Sequence, residues 1–396
     1  MMALLLDARL LVRKVKDLSC FTPRRHRVKG KWAATLAKQP ATSLALQHFD
    51  ATYSGQLGEL WPSIRVALLS EKKYGALFNN FSHESTLAQL EAQGCRDFIS
   101  DTGTEAQPSE VAVEEESNCV SIKKSDIDGQ LLSPLQLSPH IKCLVFPRGD
   151  ITRFKPARPD MYGLLGYYLM DAASVLPVLA LDVQEGHSVL DLCAAPGGKT
   201  LALLQTQSIG FLCVNDSSVS RTLRLRRVLR SFVPKQLLTD EKLHISSLDG
   251  TKWGEVESNT FDRVLVDVPC TTDRHSVTED DNNIFSKSRT GERRRLPQLQ
   301  LELLLAGIEA ACPGGEILYS TCTLSQIQNQ SVVEQAIFLA QENHGIRLQV
   351  VDLKPLPHMF RKTFHFAPNL HLGEMVIPHL AANFGPIYMC KLRRLS

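Results

Sequence analysis

The chain has 396 residues, 43% hydrophobic and 22% charged, with 44 Lys and Arg against 42 Asp and Glu for a formal net charge of +2. That length holds one large core plus a smaller region, and the composition excludes a disordered polyelectrolyte or a fibrous repeat. No apolar run reaches the length of a bilayer span. The ten cysteines form no Cys-x-x-Cys pair and have no zinc-like His spacing, so neither a membrane role, a structural metal nor a disulfide framework is expected.

The basic residues crowd the start. Arg9, Arg13, Lys14, Lys16, Arg24, Arg25, Arg27, Lys29, Lys31 and Lys38 face only Asp7 and Asp17. Residues 1–30 therefore read either as an organelle-import segment or as a basic amphipathic helix that binds RNA or packs on the protein. Asp7, Asp17 and a first serine as late as Ser19 depart from the usual import pattern.

Residues 31–99 predict a helical region, because Leu44, Leu46, Phe49, Leu57, Leu60, Trp61, Ile64 and Leu68 recur at three- and four-residue steps. Residues 100–145, which include Glu114–Glu116, lack a period and predict a flexible insertion and linker. From 146 to 396 short apolar strands alternate with helices. The strands are expected at 189–192, 211–215, 243–245, 263–268 and 316–320, with two more in the tail, and the pattern predicts a doubly wound, Rossmann-like α/β sheet. The polar stretch between Thr271 and Leu296 carries Arg274, His275, Lys287, Arg289, Arg293, Arg294 and Arg295. It suits either phosphate steering or a mobile surface loop.

The most specific signal is Ser188–Thr200, where an apolar strand stops at Cys193-Ala194-Ala195-Pro196-Gly197-Gly198-Lys199 and a helix follows. Glycines there let the backbone approach a ligand, and the helix presents free N–H groups to the same space. An ATP-binding P-loop needs glycine where Cys193 stands. Asp216, Asp249 and Asp267 fall at the ends of successive strands, which suits a ligand bearing a ribose diol and amino groups better than a diphosphate.

Asp-Leu-Cys-Ala-Ala-Pro-Gly-Gly-Lys, then Asp267-Val-Pro-Cys270, then Ser320-Thr-Cys322-Thr resembles the Sun-domain family of S-adenosylmethionine-dependent RNA cytosine-5 methyltransferases. The resemblance covers roughly residues 31–396. Lys31-Trp-Ala-Ala, Trp61-Pro-Ser-Ile-Arg-Val, Pro269–His275 and Asn383-Phe-Gly-Pro look like the family's mitochondrial branch acting on small-subunit rRNA. The resemblance implies a mitochondrial transit segment over 1–30 and a methyltransferase domain over 146–396, in the matrix. It also implies a partner of the mitochondrial transcription-termination-factor family and association with mitochondrial ribosomal assembly intermediates. It assigns Cys193–Lys199 to the methionine end of the cofactor, Asp216 to its ribose, Arg221 to the neighbouring wall, Asp249 to the adenine edge and Asp267 to the reaction centre.

Carbon 5 of cytosine needs activation before it can take a methyl group, and a thiolate adding at carbon 6 provides it. The resemblance assigns that attack to Cys322 and product release to Cys270; Asp267, if protonated, is the candidate to hydrogen-bond the N3 edge. DNA cytosine-5 enzymes instead attack with the Pro-Cys sulfur. Action on tRNA or DNA, or a ribosome-assembly scaffold with secondary methylation, are the alternative functions.

Overall fold

A computed structural model describes residues 39–82, 85–103 and 137–396. Residues 1–30, the Lys31 motif and most of the polar insertion lie outside them. Within the described chain, Pro40–Ser396 form one compact unit.

In chain order the elements are α1 Ala41–Leu57, α2 Trp61–Leu69, β1 Gly75–Phe78, α3 Ser85–Glu91, β2 Arg96–Asp97, β3 Cys143–Val145 and β4 Tyr167–Met170. Then come α4 Leu176–Leu181, β5 Ser188–Asp191, α5 Gly198–Gln205, β6 Phe211–Asn215, α6 Val219–Phe232, β7 Leu243–Ser246, α7 Trp253–Val256 and β8 Phe261–Asp267. The chain finishes with α8 Asp273–Thr278, α9 Thr290–Ala310, β9 Ala311–Thr321, α10 Gln330–His344, β10 Leu348–Val351, α11 Pro355–Phe360, β11 Glu374–Val376 and β12 Ile387–Arg394.

The large sheet runs β10-β12-β9-β8-β5-β6-β7, with β11 also paired to β12. Strands β5 to β9 pair in parallel; the interiors of β5, β6, β8 and β9 are apolar runs buried on both faces, whereas the edge strand β7 leaves His244 exposed. Strand β12 runs antiparallel beside β9, with Tyr388 opposite Thr321. The five strands expected in the α/β part and both tail strands are present; β10 had no signal of its own.

The chain builds outward from β5 through β6 to β7, then returns to the other side of β5 with β8 and β9. Strand order reverses between β5 and β8. A crevice opens at such a reversal, outside the carboxyl ends of the strands. Both the Gly-rich loop and the Pro-Cys loop emerge there.

The helical region expected over 31–99 is present as α1, α2 and α3, and the same stretch also contributes β1 and β2 to a second sheet, ordered β2-β3-β1-β4 and antiparallel throughout. Gly75-Ala-Leu-Phe is buried along its whole length, and a short, wholly apolar run has no period that separates strand from helix. The boundaries drawn at 99/100 and 145/146 cut through this sheet, since β1 pairs with both β3 and β4. The mobile-loop reading of 271–296 is also corrected. The segment contains α8 and the start of α9, and Arg274 is buried, donating to Gly385 O, Ala67 O and Asn383 Oδ1.

Candidate active site

Strand β5 ends on Asp191, and the chain turns through Cys193–Gly197 into α5. Gly197 has φ 115°, a backbone conformation that strains any residue bearing a Cβ, so the turn calls for glycine there. The loop is pinned from β6, because Ala194 N–H donates to Asn215 O at 2.8 Å and Asn215 Nδ2 donates to Leu192 O. Asn215 also holds the segment after β7, accepting from Leu248 N–H at 2.9 Å.

Asp216, just past β6, is 2% exposed. Its Oδ1 accepts from Ser218 N–H. Arg221 Nη1 lies 3.0 Å from Oδ2 without hydrogen-bond geometry, so that buried oxygen keeps acceptor capacity. Arg221 also donates to Ala195 O, which ties α6 to the Gly-rich loop. Asp249, after β7, is exposed and its Oδ1 caps the next turn through Thr251 N–H and Oγ1.

Asp267 ends β8 and accepts on both oxygens, from Lys199 Nζ at 2.9 Å and Ser320 Oγ at 2.7 Å. Burial opposes the Lys199 charge, but the Asp267 carboxylate beside it outweighs that effect and raises the ammonium's pKa. Lys199, from the first turn of α5, is thus held against the carboxylate that ends β8.

Cys270 and Cys322 come from different strand ends, yet their Sγ atoms are 3.2 Å apart and both are free thiols. Thr272 N–H donates to Cys270 Sγ at 3.3 Å. The hydrogen bond from Cys322, with that backbone donor, holds the Cys270 thiol below its usual range against the opposing effect of burial. The same bond and burial push Cys322 well up. The contact between the two sulfurs thus favours negative charge on Cys270 rather than on Cys322. Cys322 is the more exposed of the two.

Sequence reasoning missed what holds the two sulfurs in register. Asp273 is fully buried, and its Oδ2 accepts from Tyr53 Oη at 2.8 Å and Leu324 N–H at 2.8 Å, while Oδ1 accepts from Thr271 Oγ1 at 2.7 Å. Tyr53 Oη also meets Thr323 Oγ1 at 3.2 Å. Burial raises the Tyr53 pKa far above normal, so it stays a neutral donor. Gln328 Oε1 accepts from Thr271 N–H and from Gln300 Nε2, and Gln300 Nε2 reaches Pro269 O. A helix from the start of the described chain thus clamps both cysteine loops. The only hint in sequence was Tyr53 on the apolar stripe of α1.

Asp191 was also missed. It is 1% exposed, accepts from Thr200 Oγ1 at 2.7 Å, and leaves Oδ1 without a partner. Burial pushes its pKa up to about 7. Four carboxylates, at 191, 216, 249 and 267, therefore stand at consecutive strand ends around a glycine turn of positive φ. Acceptors without full partners and a close-approach loop fit the diol- and amino-bearing cofactor expected from the motifs.

A sequence model of the family described as 16S rRNA methyltransferase RsmB/F matches residues 178–383. The chain is 54% identical to the 5-cytosine rRNA methyltransferase NSUN4 of Xenopus tropicalis, over 98% of each chain. It is 35% identical to the mitochondrial tRNA (cytosine(34)-C(5))-methyltransferase of Mus musculus, over 93% of this chain and 95% of that one. Among solved structures, a methyltransferase homologue from Pyrococcus horikoshii shares the fold with a TM-score of 0.58 at 21% identity, over 90% of this chain and 100% of that one.

Proposed function

Because the chain belongs to the RsmB/F family, and so is an S-adenosylmethionine-dependent rRNA (cytosine-5)-methyltransferase, we propose that it modifies mitochondrial small-subunit rRNA through a covalent Cys322–cytosine intermediate. The observation that carries the intermediate is the 3.2 Å pairing of Cys322 with Cys270 at the reversal of the sheet. The greater identity to an rRNA enzyme than to a mitochondrial tRNA enzyme supports the choice of rRNA.

S-Adenosylmethionine, when bound, supplies an electrophilic methyl group. Cys193–Lys199 would hold its methionine end, with Asp216 accepting from the ribose hydroxyls, Arg221 fixing Asp216 against the loop, and Asp249 and Asp267 meeting its amino groups. Cys270 Sγ takes the Cys322 thiol proton as Cys322 Sγ bonds to carbon 6 of the base. The proton held between Lys199 Nζ and Asp267 Oδ2 stabilises charge at N3. A solvent water takes the carbon-5 proton, the C5–H electron pair re-forms the carbon 5–carbon 6 double bond, the Cys322–carbon 6 bond breaks with its pair leaving on sulfur, and Cys270 returns its proton to Cys322, restoring both sulfurs. An unpaired or flipped cytosine is needed to reach sulfurs this recessed.

The basic residues of 1–30 support delivery to the mitochondrial matrix. Among the described residues no helix is long and apolar enough to cross a membrane. A protein of the mitochondrial transcription-termination-factor family is the expected targeting partner, and assembly intermediates of the small subunit the expected substrate particles. Bisulfite sequencing of mitochondrial RNA tests the reading. Loss of the protein should erase one protected small-subunit rRNA cytosine, wild type should restore it, and Cys322→Ala should not. Loss of a tRNA mark instead would favour the tRNA alternative.

A further inference from the structure

Helix α6 carries arginines at 221, 224, 226, 227 and 230 and no acidic residue at all. Arg221, Arg224, Arg227 and Arg230 recur every three residues, so neighbours stand about 5–6 Å apart along one ridge of the helix. Like charges so spaced cost helix stability, which leaves the pattern without an internal reason. Arg221 is used by Asp216 and Ala195, and Arg226 donates to Ile245 O. Arg224, Arg227 and Arg230 are exposed, and the described residues offer them no hydrogen-bond or acidic partner.

The ridge has two marked ends. Its first turn lies at the cofactor loop through Arg221. Arg224 acts on Tyr168, whose ring would stand 3.2 Å from a Cβ at Gly198, so the ridge leaves the cleft beside the start of α5. The other end meets a tight turn at 160–164. There Asp160 Oδ1 accepts from Tyr162 N–H at 2.8 Å and Leu164 N–H at 2.9 Å, and Gly163 takes φ 80°. Leu165 N–H donates to Ser231 O, and Asn79 Nδ2 bonds both Leu165 O and Phe232 O at 2.8 Å, locking the turn to the end of α6. That fixed turn leaves Met161 81% and Tyr162 77% exposed. A large aromatic side chain held in water by a rigid turn lacks a folding role.

We propose that Arg224, Arg227, Arg230 and Tyr162 form a track for single-stranded RNA flanking the target cytosine, with phosphates on the arginines and one base stacked on Tyr162. Unpaired guanidinium groups match phosphates, an exposed ring matches a base, and the track begins at the cleft where the target must enter. A row of arginines on a helix with no acidic residue favours a polyanion over a protein partner. The proposal rests on the reading of the chain as an rRNA methyltransferase.

The test uses full-length protein and a labelled, unmodified transcript of mitochondrial small-subunit rRNA, with affinity measured across salt concentrations. The triple variant Arg224→Gln, Arg227→Gln, Arg230→Gln keeps good helix formers. It should flatten the slope of log affinity against log salt by about 2, the loss of three single-strand phosphate contacts. Tyr162→Ala should weaken RNA ~10-fold with the slope unchanged. Both variants should retain S-adenosylmethionine affinity by calorimetry. Wild-type slope and affinity in both variants, with wild type still methylating the transcript, would overturn the track alone. A wild-type protein that neither binds nor methylates the transcript would remove the rRNA reading and the track with it. Intact RNA affinity with lost capture of a co-purifying protein would make the ridge a protein-docking face and overturn the proposal.

Discussion

The two halves of the site are built in opposite ways. The cofactor half is made of strand ends and one glycine turn, and each side chain is placed by the element that immediately precedes it. The base half is made of two loops 52 residues apart, and they are held in register by Tyr53, 220 residues from its partner Asp273. The cofactor half is therefore local and electrostatic, whereas the base half depends on long-range hydrogen bonds. Damage should follow the same division: substitutions in the first should change cofactor affinity, and those in the second should change turnover.

The largest effect expected from the cofactor half concerns Asp191. Its pKa rises from 3.8 to about 7 on folding, so the protonated form is favoured in the native state. The resulting stability is fully present below about pH 4 and is lost as pH rises through about 7, a span worth about 4 kcal/mol. Asp191→Asn should remove this dependence. Thermal unfolding of wild type and variant at several pH values should therefore give a variant whose advantage grows between pH 5 and 8. A constant difference would mean that Asp191 titrates normally.

Asp216→Ala comes next. It removes a buried acceptor, and S-adenosylmethionine binding should weaken by roughly 1.5–3 kcal/mol, the worth of hydrogen bonds to a charged group. Calorimetry on the folded variant reads this directly, and unchanged affinity would take Asp216 out of the cofactor half.

The smallest effect, and the sharpest probe of the division, is Tyr53→Phe. Removing one hydroxyl from the clamp should destabilise the chain by about 1 kcal/mol. It should lower kcat while leaving S-adenosylmethionine affinity untouched. A variant that loses cofactor affinity in proportion to kcat would erase the distinction between the halves.

The same difference in range explains what could be read from sequence. Asp216 and Asp267 lie at the ends of apolar runs, and the Gly-rich loop carries its own steric signature, so strand, turn and helix were visible within a dozen residues. β1 was invisible because four buried apolar residues have no period. Asp273 and Arg274 looked like members of a charged loop, since nothing local reveals that Tyr53 and Asn383 meet them. The Lys199–Asp267 pair likewise joins positions that only the sheet brings together.

The central claim is the division of labour between the two sulfurs, and denaturing electrophoresis with labelled RNA tests it most directly. With S-adenosylmethionine present, Cys270→Ala should accumulate a protein–RNA adduct, because Cys322 can still attack but the departing sulfur lacks its proton donor. Cys322→Ala should form neither adduct nor methylated product. An adduct that forms with Cys322→Ala and disappears with Cys270→Ala would invert the assignment and make the Pro-Cys sulfur the nucleophile.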